Sequence, residues 1–190
     1  MSAVKFNETE RKWLFELLRD RAFEKRKVVL ASGRESDFFI DCKQAVLTAE
    51  GHSLVGSLMF DTIEQAFFGC EAVAGVELGG CPLASAVSMK SFERGNPLPA
   101  LYIRKEAKDH GSKKLVENDK SLKDNLGVVV LEDVITTGGS TLKAVEKLKL
   151  VKANVLGVIA LVDRQEGGAE ALRDAGLKFV SLLQKSDFMG

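Results

Sequence analysis

From residue 72 onward the chain alternates short apolar runs with helical patterns, and that rhythm restricts the fold more than any other feature. Ala72–Val76, Leu98–Ile103, Gly127–Leu131, Val155–Val162 and Leu177–Leu183 read as strands. Helical patterns open at Pro82, Thr141 and Ala169 and run to about Gly95, Leu150 and Ala175, while a long polar stretch covers Arg104 to Asn125. Strands separated by helices are βαβ units, and an unbroken apolar run such as Val128-Val-Val-Leu131 belongs to a parallel sheet buried on both faces. The expected fold class is therefore α/β, an open and mainly parallel sheet flanked by helices over about residues 71–183.

The first 70 residues are less regular and predict a small N-terminal helix/strand subdomain beside that sheet. Asn7 can cap a helix, with Glu10 three residues on as in a capping box and Trp13, Leu14, Leu17 and Leu18 as its apolar face. Two extended stretches, Lys27–Ser32 and Asp37–Cys42, flank a turn at Gly33, and Thr48 caps a long amphipathic helix reaching about Phe68. At 190 residues the whole chain, 1–190, fits a single domain.

Charge and cysteine usage exclude several function classes. Lys plus Arg and Asp plus Glu each number 27, so no broad basic surface serves nucleic acid. No stretch approaches the ~18 apolar residues of a membrane span, and MSAVKFNETERKW turns polar by residue 7, unlike a signal peptide. Cys42, Cys70 and Cys81 are odd in number and lack CxxC spacing, as reduced thiols of a cytoplasmic protein would be.

In open parallel sheets ligands bind beyond the carboxyl ends of the strands, and four strand ends here carry unusual residues. The strongest is Val128–Thr141, VVVLEDVITTGGST. Glu132 and Asp133 end a buried strand, and a turn of Thr136, Thr137, Gly138, Gly139, Ser140 and Thr141 leads into a helix. Successive backbone N–H groups at a helix start make an anion cradle, and the hydroxyls add donors. The turn is neither a Walker loop nor GxGxxG. Carboxylates that accept sugar hydroxyls beside a turn that holds phosphate describe a site for a ribose 5-phosphate group.

This segment resembles the phosphoribosyl pyrophosphate (PRPP) motif of the type I phosphoribosyltransferases. Three further segments narrow the resemblance to the orotate phosphoribosyltransferase family over nearly the whole chain: Ala31-Ser-Gly-Arg-Glu-Ser-Asp-Phe-Phe-Ile-Asp41, Arg104-Lys-Glu-Ala-Lys-Asp-His-Gly111 and Val162-Asp-Arg-Gln-Glu166. The resemblance implies the type I fold, with residues 1–70 as a hood over a PRPP-binding core. It implies Mg²⁺, held mainly by substrate rather than by direct protein ligands. It also implies a homodimer that shares the loop 104–114 across its interface.

The same segments also read physically. Residues 104–114 hold five cations, Arg104, Lys105, Lys108, Lys113 and Lys114, against Glu106 and Asp109. That suits a mobile loop over an anionic ligand, since cations around pyrophosphate stabilise its departure. By resemblance Arg104, Lys105, Lys108 and His110 reach pyrophosphate, His110 as a charge-neutralising or hydrogen-bonding group rather than an acid–base catalyst. Arg164 at a strand end is either an ion-pair partner of Asp163 or Glu166 or, by resemblance, the fork that takes the orotate carboxylate. Thr136 is implied near the same base. Phe38 and Phe39 suit a core, yet Phe39 sits where the family stacks an aromatic on the pyrimidine.

Gly75–Gly80 matches the family's pyrophosphate-binding turn. The chain departs from some relatives at Ala31 and Gly79, where they carry basic residues, and at Glu132, where Asp is commoner. The expected reaction is transfer of 5-phosphoribosyl from PRPP to orotate, within pyrimidine biosynthesis. A transferase for another base and a non-catalytic RNA- or nucleotide-binding regulator are the alternatives.

Overall fold

The computed structural model describes residues 4–29, 35–106 and 114–190. Helix α1 (Glu8–Arg21) begins where expected, the Asn7 side chain accepting the Glu10 N–H. Its buried stripe is narrower than the pattern suggested: Leu14 and Leu18 are buried, whereas Trp13 is 51% exposed. Strands β1 (Phe23–Val29) and β2 (Glu35–Ile40) form an antiparallel pair, and β1 starts four residues earlier than the sequence pattern indicated because Phe23 already pairs with Ile40. A single helical turn, α2 (Lys43–Val46), precedes α3 (Ala49–Ala66), whose first turn is capped by Thr48.

The remaining elements are β3 (Ala72–Val76), α4 (Gly80–Glu93), β4 (Ala100–Ile103), β5 (Val116–Glu117), β6 (Gly127–Ile135), α5 (Gly139–Leu150), β7 (Asn154–Asp163), α6 (Gly168–Asp174), β8 (Lys178–Gln184) and α7 (Lys185–Met189). The sheet order is β5-β4-β3-β6-β7-β8, parallel throughout except for β5, which pairs antiparallel with β4 inside the long polar stretch. From β3 the chain adds β4 on one side; from β6 it adds β7 and β8 on the other. Right-handed crossovers running in opposite directions place their helices on opposite faces. Accordingly α4 joins α1 and α3 over Val73, Val129 and Leu131, while α5 and α6 cover Ala72, Ala74, Val128 and Val130.

From Val128 to Leu131 strand β6 alternates between these two cores residue by residue; the alternation breaks at the acids, since Val134 packs on the first core and Ile135 on the second. The strand continues past the two acids to Ile135, because Val134 and Ile135 find partners in Val162 and Asp163 of β7. Glu132 and Asp133 therefore lie within the strand, which ends two residues later than the sequence pattern placed it. Truncating a residue this deeply packed, such as Leu131, to Ala costs about 2–5 kcal/mol. Among the described residues no helix is long and apolar enough to cross a membrane.

Candidate active site

The strand order reverses between β3 and β6, which opens a crevice where their carboxyl ends diverge. The turn after β3 and the turn after β6 meet there. A Cβ built on Gly79 would lie 2.0 Å from the Asp133 Oδ2, so the carboxylate packs directly on the glycine backbone. The Asp133 Oδ1 accepts the Val134 N–H at 2.9 Å. Cys42 and Lys43 approach the same residue from the other side: the Cys42 Sγ lies 3.9 Å from the Asp133 carbonyl oxygen, and the Lys43 charge acts on the carboxylate.

The neighbouring acid of β6 reaches the start of α5 while its side chain stays in contact with that of Asp133. Glu132 is 7% exposed, and its Oε2 accepts the Thr141 hydroxyl at 3.1 Å. Burial, reinforced by the Asp133 charge, pushes the Glu132 carboxyl up to about 8, against the opposing pull of Thr141 and Lys105. Asp133 is likewise raised by burial. Glu132 thus holds its proton near neutral pH until a cationic or hydroxyl-bearing ligand favours its charge, and Asp133 is shifted in the same direction.

Between β6 and α5 the backbone turns through Gly138 at φ +80°, a conformation that favours glycine. Thr137, Gly139 and Ser140 are exposed at the helix start, and Thr136 is half-buried. The six-residue turn therefore splits by role: its outer members face solvent with free backbone direction toward an anion, while buried Thr141 commits its hydroxyl to Glu132.

The cationic side starts where β4 ends. The Lys105 N–H donates to the Glu77 carboxylate, and the Lys147 Nζ of α5 donates at 2.7 Å to the carbonyls of both Arg104 and Lys105. The Lys105 ammonium lies near enough to Glu132 to favour its ionised form. Arg104 is engaged elsewhere, its partly buried side chain placing Nη1 on Glu117 of β5 at 3.2 Å. Lys108, His110, Lys113 and Ala31 lie outside the described residues.

At the far side of the crevice, the Arg164 Nη2 contacts Glu166 Oε1 and donates to the Phe38 carbonyl, both at 3.1 Å. Of the two ion-pair partners foreseen, Glu166 holds the guanidinium, and Asp163 instead accepts the Gln165 N–H. Phe38 is fully buried against Phe23 and Phe188, whereas Phe39 faces the other way with the Arg26 guanidinium 4.0 Å from its ring centroid. Cys42 and Cys81 are both held toward the thiol form. Burial and the Asp133 charge lift the first thiol well above its ordinary value, and burial beside Glu77 and Glu132 lifts the second to about 11.

Known proteins share this arrangement. The family model of the phosphoribosyl transferase domain matches residues 47–186. The orotate phosphoribosyltransferase of Sorangium cellulosum is 68% identical over 189 residues, covering 100% of this chain and 97% of that protein. This chain belongs to the orotate phosphoribosyltransferase family. Among solved structures, the Mycobacterium tuberculosis orotate phosphoribosyltransferase in complex with Fe(III) dicitrate superposes with a TM-score of 0.80 at 37% identity, over 94% of this chain and 98% of that one. The same enzyme in complex with PRPP gives a TM-score of 0.76 at 31% identity, over 95% and 92%.

In this orotate phosphoribosyltransferase family member, sequence reasoning missed Glu77, Lys147 and Lys43. Glu77 stands inside the glycine-rich turn that was singled out, and a carboxylate in an otherwise apolar turn was a usable signal. Lys43 directly follows the extended segment ending at Asp41 and Cys42. Lys147 offered none, since on a helix surface it looks like any solvated lysine.

Proposed function

We propose that the chain transfers the 5-phosphoribosyl group of PRPP to N1 of orotate, releasing pyrophosphate and orotidine 5′-monophosphate. The observation that carries this reading is the juxtaposition of the Glu132–Asp133 pair of β6 with two glycine-rich turns at the point where the sheet order reverses. Substitution at the anomeric carbon passes through a positively charged, oxocarbenium-like state. Glu132 and Asp133 accept the ribose hydroxyls and stabilise that charge as they ionise. The exposed N–H groups and hydroxyls of Thr137, Gly139 and Ser140 take the 5′-phosphate at the start of α5. Lys105 offsets the charge that builds on departing pyrophosphate, with Lys108 and His110 assigned to the same task by family resemblance.

Orotate carries a planar carboxylate, which matches the fork that Glu166 and the Phe38 carbonyl hold at the strand end. Phe39 offers its ring to the pyrimidine, and Thr136 its half-buried position beside it. Among the described residues no three His, Cys, Asp or Glu side chains converge on a metal-binding centre. The Asp133 carboxyl beside Gly79 is an oxygen donor that would suit Mg²⁺, with the remaining ligands left to substrate and water as the resemblance implies. When bound, the ion neutralises charge on the leaving group.

The same proposal extends to a cytoplasmic homodimer and to residues 1–70 as a hood over the core. Support for self-association comes from α4, which leaves Met89 52% and Phe92 76% exposed beside the partly exposed Tyr102 of β4. Leu14, Leu18 and Phe38 share one core with Val129 and Leu131, which supports a single unit. The test incubates the protein with Mg²⁺, PRPP and orotate, uracil or a purine, and follows loss of each base. Consumption of orotate alone is expected; turnover of a purine but not orotate overturns the reading.

A further inference from the structure

Arg104 and Lys105 leave the sheet without regular secondary structure, so their backbone groups need partners from elsewhere. All four have them. The Arg104 N–H donates to the Leu115 carbonyl at 2.9 Å, and the Lys105 N–H to the Glu77 carboxylate. Both carbonyls accept from the single ammonium of Lys147, at 2.7 Å each. Lys147 is set apart from its neighbours on the helix, since Glu146 and Lys149 pair with each other. Side chains on a helix lean toward its N-terminus, so Lys147 reaches up from the second half of α5 toward the end of the sheet that carries the acids.

This geometry differs from an ordinary surface contact in what it constrains. Two consecutive carbonyls tied to one point, with the intervening N–H tied to the opposite side, leave the Lys105 backbone one orientation. Ordering a long lysine costs about as much rotamer entropy as two half-exposed hydrogen bonds return. The clamp therefore adds little to global stability, and its consequence is local. We infer that Lys147, with Glu77 opposite, is a positioning residue that holds the Lys105 backbone so that the Lys105 ammonium stands at the Glu132 side of the reaction site. The inference rests on the role given to Lys105 above.

Four variants test it under saturating Mg²⁺ and PRPP: Lys147→Met, Lys147→Arg, Lys105→Ala and the double variant Lys147→Met/Lys105→Ala. Lys147→Met is expected to lower kcat about tenfold, with little change in the orotate KM and an unchanged thermal midpoint. Lys147→Arg, which can still donate to both carbonyls, is expected to restore most of the rate. Because Lys147 acts through Lys105, the double variant is expected to be no slower than Lys105→Ala alone. Hydrogen exchange at the Lys105 amide speeds up in Lys147→Met, a readout independent of turnover. A wild-type kcat for Lys147→Met beside an impaired Lys105→Ala overturns the clamp alone, as do losses that simply add in the double variant. A harmless Lys105→Ala overturns the role of Lys105 and the clamp together. Should Lys147→Met fail to fold, Lys147→Gln replaces it and is read the same way.

Discussion

The two sides of the reaction site are built by different means. The acid side stands on β6, a strand paired along its length with β7 and packed into a core on each face, so Glu132 and Asp133 inherit their placement from the hydrophobic effect and the sheet ladder. The cationic side stands on two residues beyond the end of β4, held by a carboxylate, an ammonium and one short edge strand. The first is expensive to disturb and insensitive to any single polar contact. The second depends on individual hydrogen bonds. On the proposed reading, the site is rigid toward the sugar that stays and lightly tethered toward the pyrophosphate that leaves.

That contrast can be broken at several strengths. The largest effect is expected from Asp133→Asn, which keeps the shape beside Gly79 but cannot ionise: kcat should fall about 10²–10³-fold with the fold intact by circular dichroism. A fall under about tenfold would show that the acid side does less than its burial suggests. Lys105→Ala is expected to cost about 10–100-fold in kcat, and the loss should be recovered in part by Lys105→Arg, as measured in steady-state assays.

The smallest effect concerns stability. In the folded chain Glu132 keeps its proton up to about pH 8, against an ordinary value of 4.5 when exposed. The folded state thus binds the extra proton across that window, and stability falls as pH rises through it. Glu132→Gln removes this titration. Its thermal midpoint should exceed that of the unchanged chain at pH 8, by of the order of 5 °C, and the two should converge near pH 4.5. A variant less stable at pH 8 would mean that Glu132 is already ionised in the ligand-free protein.

Much of this was legible before any coordinates. Asn7 and Thr48 cap where their side chains suggest, and Ala72–Val76 is a strand with the limits its apolar run predicts. The turn from Thr136 to Thr141 was readable because its glycines and hydroxyls are contiguous. What stayed hidden depends on distant pairs. Arg104 meets Glu117 only because a two-residue strand folds back along β4, and no periodicity marks so short a strand. Lys147 lies 42 residues from Lys105 and looks solvated in sequence. Trp13 misled in the opposite sense, since it shares a helical face with Leu14 and Leu17 but sits at the stripe's outer margin.

The contact between Gly79 and Asp133 carries a consequence for how such chains can diverge. A side chain at position 79 and the carboxylate at position 133 claim the same volume. A lysine introduced at 79 alone, as some relatives have it, would meet an occupied space and displace a reacting group. The residue at 79 therefore bears directly on where the Asp133 carboxylate can stand. A longer residue at 79 demands that the Asp133 carboxylate swing aside, so the glycine and the carboxylate's present position go together.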